Sequence, residues 1–219
     1  MPETETRVWL VRHAETATPH LFHGAESDVG LSDRGVRQAT AAAEWFRLLA
    51  PTIVVSSAMR RAVDTATPIA AACGVPLSVE PELHERRVGA LSGTTFSTSD
   101  GPWSETLRRW QAGETGYATP GAESFDAIRA RVLPAWERVV AAHRGGRVVL
   151  VAHGVVIKVL LFSLLPGLTV ADWTRVGKAL NLAVSALVQV SDGPWRAESL
   201  LAVPGPVRAL DGGPAGSAA

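Results

Sequence analysis

Three short apolar runs in this chain each end in residues that a hydrophobic core rejects. Residues 8–11, Val-Trp-Leu-Val, lead directly into Arg12 and His13. Residues 53–55, Ile-Val-Val, lead into Ser56 and Ser57 and then Arg60 and Arg61. Residues 148–152, Val-Val-Leu-Val-Ala, lead into His153 and Gly154. Runs this short, rich in β-branched residues and free of polar alternation, have the pattern of strands covered on both faces. Helical patterns separate them. Ser32 and Asp33 start one, with Val36, Ala39, Ala43 and Phe46 on a single face. Others are expected over residues 60–73, stopped by Gly74 and Pro76, and over 103–111, 123–143 and 155–165. Pro134 is expected to kink the fourth of these. Residues 77–79 form a further short strand, and 183–190 with 195–203 a closing hairpin turned at Asp192-Gly193-Pro194. The alternation predicts a three-layer α/β/α fold with a mostly parallel central sheet flanked by helices.

In such sheets ligands bind beyond the carboxyl ends of the strands. The three runs therefore deliver two imidazoles and at least two guanidiniums to one crevice. Guanidinium forks match phosphate oxygens bidentately. A neutral imidazole is a competent nucleophile, and a second, protonated one can stabilise charge on the transferring group. Only an acid for the leaving oxygen is then missing.

Composition narrows the partners. Lys+Arg and Asp+Glu both count 21, so the net charge is zero and gives no reason to expect a nucleic-acid or membrane partner. A lone cysteine, Cys73, rules out an intrachain disulfide or a cysteine metal set and suits a reducing cytoplasm. Residues 1–5 lack the basic start and apolar run of a signal peptide. The longest apolar stretch, 155–165, is broken by Lys158 and too short for a bilayer. We expect one domain over residues 1–204, and a disordered Gly/Pro/Ala-rich tail over 205–219. A small-molecule phosphoester is the expected partner, and a homodimer is compatible with the sequence.

Six segments in order carry a resemblance to a known family. Arg12-His13-Ala14-Glu15-Thr16 resembles the Arg-His-Gly signature of the histidine phosphatase, or phosphoglycerate-mutase-like, superfamily. Residues 30–39 resemble its Leu-Thr-x-x-Gly-x-x-Gln-Ala helix start, and residues 56–66 its Ser-Ser-x-x-x-Arg-Ala-x-x-Thr-Ala block. Leu83, Glu85, Gly89 and Gly93 follow its Leu-x-Glu block, Gly121-Ala122-Glu123-Ser124 its Gly-Glu-Ser segment, and His153-Gly154 its second His-Gly. The resemblance implies that His13 takes the phosphoryl group, that Arg12, Arg61 and His153 hold it, and that Glu85 protonates the leaving group and later activates water. It implies no metal and no organic cofactor.

Three departures from the family pattern stand out, the third of them on the substrate side. Ala14 replaces a glycine, and Pro19 stands near the position of an asparagine that binds phosphate in the family. Thr16 or His23 is the expected replacement for that contact. Residues 86–93 lack the acidic and tryptophan residues often found there, and Trp103 and Trp110 are candidates to line the pocket. Glu15 and Glu123 are expected to make salt bridges or caps, and Arg60 to be solvated. A zinc hydrolase is disfavoured because no His-Glu-x-x-His spacing occurs and the arginines expected in the same crevice would repel a cation. A cofactor-dependent phosphoglycerate mutase would carry a Ser-Tyr-Asp and proline-rich insertion after the donor, and none is present. An inactive phospho-ligand-binding member is the remaining alternative.

Overall fold

The apolar runs are strands, and their neighbours explain their lack of polar alternation. The computed structural model describes residues 4–95 and 101–210. β1 (Glu5–Arg12), β2 (Ile53–Ser56), β3 (Leu77–Val79) and β4 (Arg147–Ala152) pair in parallel. β5 (Val184–Val190) and β6 (Arg196–Ala202) extend the sheet as an antiparallel pair, giving a mixed sheet of order β3-β2-β4-β1-β5-β6.

Both faces are covered by helices. Trp9, Val11, Val54, Val149 and Val151 share a core with residues of α1 (Asp33–Leu49) and α2 (Arg60–Cys73). Val8, Leu10, Val55, Val148 and Leu150 share the opposite core with α4 (Phe125–Ala142) and α5 (Gly154–Leu164). Successive strand residues thus serve opposite cores, as the period of two requires. Between these helices in sequence, α3 (Pro102–Gln111) brings Trp110 into the second core.

Strand register aligns the three chemical ends. Arg12 lies opposite Ala152, and Val151 opposite Ser56. Just beyond the strands, the His13 N–H donates to the Ala152 carbonyl at 3.0 Å and the Ser57 N–H to the Val151 carbonyl at 3.0 Å. The helices that follow are capped locally or by neighbours. The Ser32 hydroxyl accepts from the Gly35 N–H, and that of Ser124 from Ala127. α2 has no capping side chain of its own; the Asp28 carboxylate accepts from the Arg60 N–H at 2.7 Å instead. Helix continues through Pro134 and also through Pro68, which no sequence pattern announced.

The expected tail begins too early. Gly205–Ala209 form a short helix, α6, and Val207, 1% exposed, joins the core beneath α1. One apolar side chain with a face to bury against outweighs the averaged composition. Residues 211–219, also expected to be disordered, lie outside the described residues. No helix of the described residues is long and apolar enough to cross a membrane.

Gly35 shows how tightly α1 meets the loop after His13. A Cβ on Gly35 would lie 2.1 Å from the Glu15 carbonyl oxygen. Gly35→Ala should lower stability by about 1–3 kcal/mol. Equilibrium urea denaturation reads this, and a midpoint equal to that of the parent protein would contradict the close approach.

Candidate active site

His13 emerges from β1 with its ring set by backbone groups. It is 5% exposed, and its Nδ1 lies 2.7 Å from the Ala14 carbonyl oxygen. A carbonyl can only accept, so Nδ1 carries the proton and Nε2 the free lone pair. Asn181 Nδ2 donates to the His13 carbonyl at 3.0 Å, and the Ala14 N–H donates to Thr65 Oγ1 at 3.0 Å. Ala14 is fully buried and does not adopt a positive φ, so the missing glycine costs no backbone strain. Burial, with the charges of Arg12 and Arg61, holds the His13 pKa well below 6.5. The ring is neutral, with the free lone pair that a nucleophile needs.

His153 faces it, with ring centroids 5.2 Å apart. It is fully buried at the N-cap of α5, and its Nε2 pairs with Ser57 Oγ at 2.8 Å. Burial and the charge of Arg61 also hold its pKa well below 6.5. At rest the second imidazole is therefore neutral, where the sequence reading had it protonated. Ser57 Oγ already accepts from the Met59 N–H, so its own hydrogen is directed at Nε2, which places the His153 proton on Nδ1 as a neutral donor.

Two guanidiniums complete the cluster. Arg12 donates from Nη1 to the Ala179 carbonyl at 2.7 Å. Arg61, fully buried, donates to the carbonyls of Ser27 at 3.0 Å and Gly24 at 3.3 Å. Burial lowers the basicity of both, and the nearby carboxylate of Glu85 partly offsets it.

Three buried side-chain nitrogens among the described residues have no hydrogen-bond partner: Arg12 Nε, Arg61 Nε and His153 Nδ1. They belong to the three residues that the sequence assigns to the phosphate. Leaving one such donor unsatisfied costs about 1–3 kcal/mol. Phosphoryl oxygens, which only accept, would satisfy all three. The N-terminus of α5 adds its positive end to the same place.

Glu85 is 9% exposed and sits between these groups and the loop that follows it. Its Oε1 accepts from the Arg86 N–H at 2.9 Å, and its Oε2 lies 3.5 Å from the Val155 nitrogen. The next three amides are also held by carboxylates. Glu123 accepts from the Arg87 N–H at 2.8 Å; Glu26 accepts from Val88 at 2.9 Å and Gly89 at 2.8 Å. Glu123 also pairs with Arg131 at 3.1 Å. Glu15 accepts from the Ser32 hydroxyl at 2.8 Å and from Arg34 at 2.6 Å. Both carboxylates are thus spent on structural contacts.

The two expected phosphate replacements fare differently from the core set. His23 has both ring nitrogens engaged, Nδ1 with Ser27 Oγ at 2.9 Å and Nε2 with Thr18 Oγ1 at 2.8 Å. That leaves it no spare ring donor. Thr16 is buried and bridges to Leu31 through its backbone. Arg60 is exposed, 3.5 Å from Asp64, while its neighbour Arg61 points inward. Trp110 is wholly buried, and only Trp103 remains partly open, with the Arg86 guanidinium 4.2 Å from its ring centroid. Sequence reasoning missed Asn181, Glu26 and the Ser57 bond to His153, which lie far along the chain from the groups they hold.

A family model described as histidine phosphatase superfamily (branch 1) matches residues 8–201. A metal-independent phosphoserine phosphatase of Arabidopsis thaliana is 34% identical over 200 residues, covering 89% of this chain and 80% of its own. A probable phosphoglycerate mutase of Yersinia pestis is 30% identical over 196 residues, 87% of this chain and 88% of its own. The solved structure of a mycobacterial glucosyl-3-phosphoglycerate phosphatase superposes with a TM-score of 0.76 at 31% identity, covering 90% of this chain and 99% of that one. Longer mycobacterial chains match over 160 residues at 36% identity, and this chain spans 44% of their length.

The buried neutral imidazoles set a sign for pH dependence. Unfolded, each titrates near 6.5; folded, each stays neutral well below it. The unfolded chain binds more protons as the pH falls through that value, so stability falls with it. The slope is up to about 1.4 kcal/mol per pH unit for each imidazole. Urea midpoints measured in phosphate-free buffer should drop as the pH falls below about 6.5, and His13→Asn should flatten the dependence. An equal slope in parent and variant would refute the assignment.

Proposed function

The chain belongs to the histidine phosphatase superfamily and is a phosphatase, and on that premise we propose that it hydrolyses small phosphomonoesters through a phosphohistidine on His13. The observation that carries this reading is the set of three unpartnered donors gathered beside a neutral Nε2. Arg12 Nε, Arg61 Nε and His153 Nδ1 take the phosphoryl oxygens and stabilise the charge that builds on them. His13 Nε2 attacks phosphorus as the bond to the ester oxygen breaks. Glu85 gives its proton to that oxygen, and an alcohol leaves. The resulting carboxylate then takes a proton from water, whose oxygen attacks the phosphohistidine and releases inorganic phosphate. His13 returns to its neutral form, and no metal enters the cycle.

The relatives support a small metabolite as substrate, since the phosphatases among them are named for phosphoserine and glucosyl-3-phosphoglycerate. The mutase name of another relative keeps a second product in view. In the transfer reading the phosphoryl group returns to the sugar acid instead of to water. The single half-buried cysteine, Cys73, fits a reducing cytoplasm.

Phosphate release from a panel of phosphomonoesters in excess EDTA tests the reading. We expect EDTA-resistant release from the parent protein and a loss on the order of 10⁴-fold or more in His13→Ala. Full activity of folded His13→Ala would sink the mechanism, and an isomerised phosphoester without free phosphate would support the mutase. Glu85→Gln should slow alkyl esters about 10²–10⁴-fold and p-nitrophenyl phosphate far less, because the better leaving group needs less protonation. Equal losses on both would remove Glu85 from the donor role.

A further inference from the structure

One buried sulfur stands among the polar groups of the site. Met59 is 7% exposed, yet it shares neither of the two hydrophobic cores that flank the sheet. It lies between β2 and α2, at the N-cap of the helix that carries Arg61. Its Sδ is 3.2 Å from Arg61 Nη2 and 3.5 Å from the Glu85 backbone nitrogen. Both nitrogens donate, and a thioether can only accept. The Met59 N–H in turn donates at 3.2 Å to Ser57 Oγ, the hydroxyl that holds His153. One residue thus reaches Arg61, Glu85 and, through Ser57, His153.

A methionine that only filled space would sit in an apolar core. Here the sulfur meets a cation and an amide instead. Arg61 spends its outer nitrogens on neutral acceptors: Nη1 on the Ser27 carbonyl at 3.0 Å, and Nη2 on the Gly24 carbonyl at 3.3 Å and on the sulfur. That orientation leaves Nε for the phosphoryl group. Sulfur is a weak acceptor, but a bond from a charged donor is stronger than one from a neutral donor. The amides of residues 86–89 go to carboxylates, and the amide of Glu85 goes to this sulfur. Arg61, assigned to the phosphoryl group, and Glu85, assigned to the leaving oxygen, therefore share one anchor atom. Transfer needs those two groups at a fixed separation, since a misplacement on the order of 1 Å costs about 10²-fold.

We propose that Met59 is a positioning residue whose sulfur sets Arg61 and Glu85 relative to each other for phosphoryl transfer. This rests on the phosphatase reading of the site, and the test is chosen to separate the two. The chain holds two methionines, Met1 and Met59. Production in a methionine auxotroph fed norleucine replaces the Met59 sulfur by a methylene of similar size. Feeding selenomethionine replaces it by another acceptor. Met1 changes in both proteins, so comparing them isolates the acceptor. The selenomethionine protein should match the parent. The norleucine protein should lose about 5- to 30-fold in kcat/KM on alkyl phosphates. It should lose less on p-nitrophenyl phosphate, which needs the acid less, and it should bind inorganic phosphate more weakly. If the norleucine protein fails to fold, Met59→Leu gives the same comparison against the parent. Equal rates of the norleucine and selenomethionine proteins on both esters overturn the proposal while leaving the phosphatase reading intact. An equal loss on both esters also overturns it, because Glu85 would then not depend on the sulfur. So does an unchanged phosphate affinity, because Arg61 would then not depend on it. No phosphate release from the parent protein overturns the phosphatase reading and this proposal together.

Discussion

The parallel pairing of β1 with β4 is the constraint on which the site depends. With Arg12 opposite Ala152, the two strands end level, and the residues after them, His13 and His153, bring their rings within 5.2 Å. A slip of one residue would move Trp9 and Val11 to the wrong core and Val8 and Leu10 with them. The two apolar cores therefore enforce the catalytic distance. Packing and chemistry are specified by the same register, and no separate device is needed to bring the histidines together.

That arrangement buries positive charge without an equal amount of negative charge, and the loop over residues 22–28 makes it tolerable. Carbonyls of Gly24 and Ser27 receive Arg61, Asp28 caps the helix that carries Arg61, and Glu26 holds the amides of Val88 and Gly89 beyond the acid. One short segment thus fixes Arg61, its helix and the loop after Glu85. The donors left over are the ones a phosphate dianion satisfies, so part of the fold's unfavourable desolvation is recovered only when ligand binds. The neutral state of both imidazoles follows first from their burial and then from the charge of the neighbouring guanidiniums.

The strands, and the place of Arg12, His13 and His153 at their ends, were legible because both are local signals. Burial on two faces writes an unbroken apolar run, and the polar residues of the site follow that run immediately in β1 and β4. The Gly-Glu-Ser segment was legible as a motif but not as a device: Ser124 caps α4 while Glu123 holds the Arg87 amide. What stayed hidden depends on contacts across the chain. Asn181 holds the His13 carbonyl from 168 positions away, and Glu26 reaches Val88 across 62. No periodicity or spacing rule spans such separations. His23 was suggested by its nearness in sequence, and its ring is instead consumed by Thr18 and Ser27. α6 was missed because composition averages over a segment while burial of Val207 depends on one side chain.

The central claim is that phosphoryl transfer passes through Nε2 of His13. Rapid mixing with a phosphomonoester, a quench at high pH and intact-mass spectrometry test it most directly. The account predicts a transient mass increment of one phosphoryl group that survives base, is lost in acid, maps to His13 and is absent from His13→Ala. Turnover with no such adduct, or an acid-stable adduct on another residue, would contradict it.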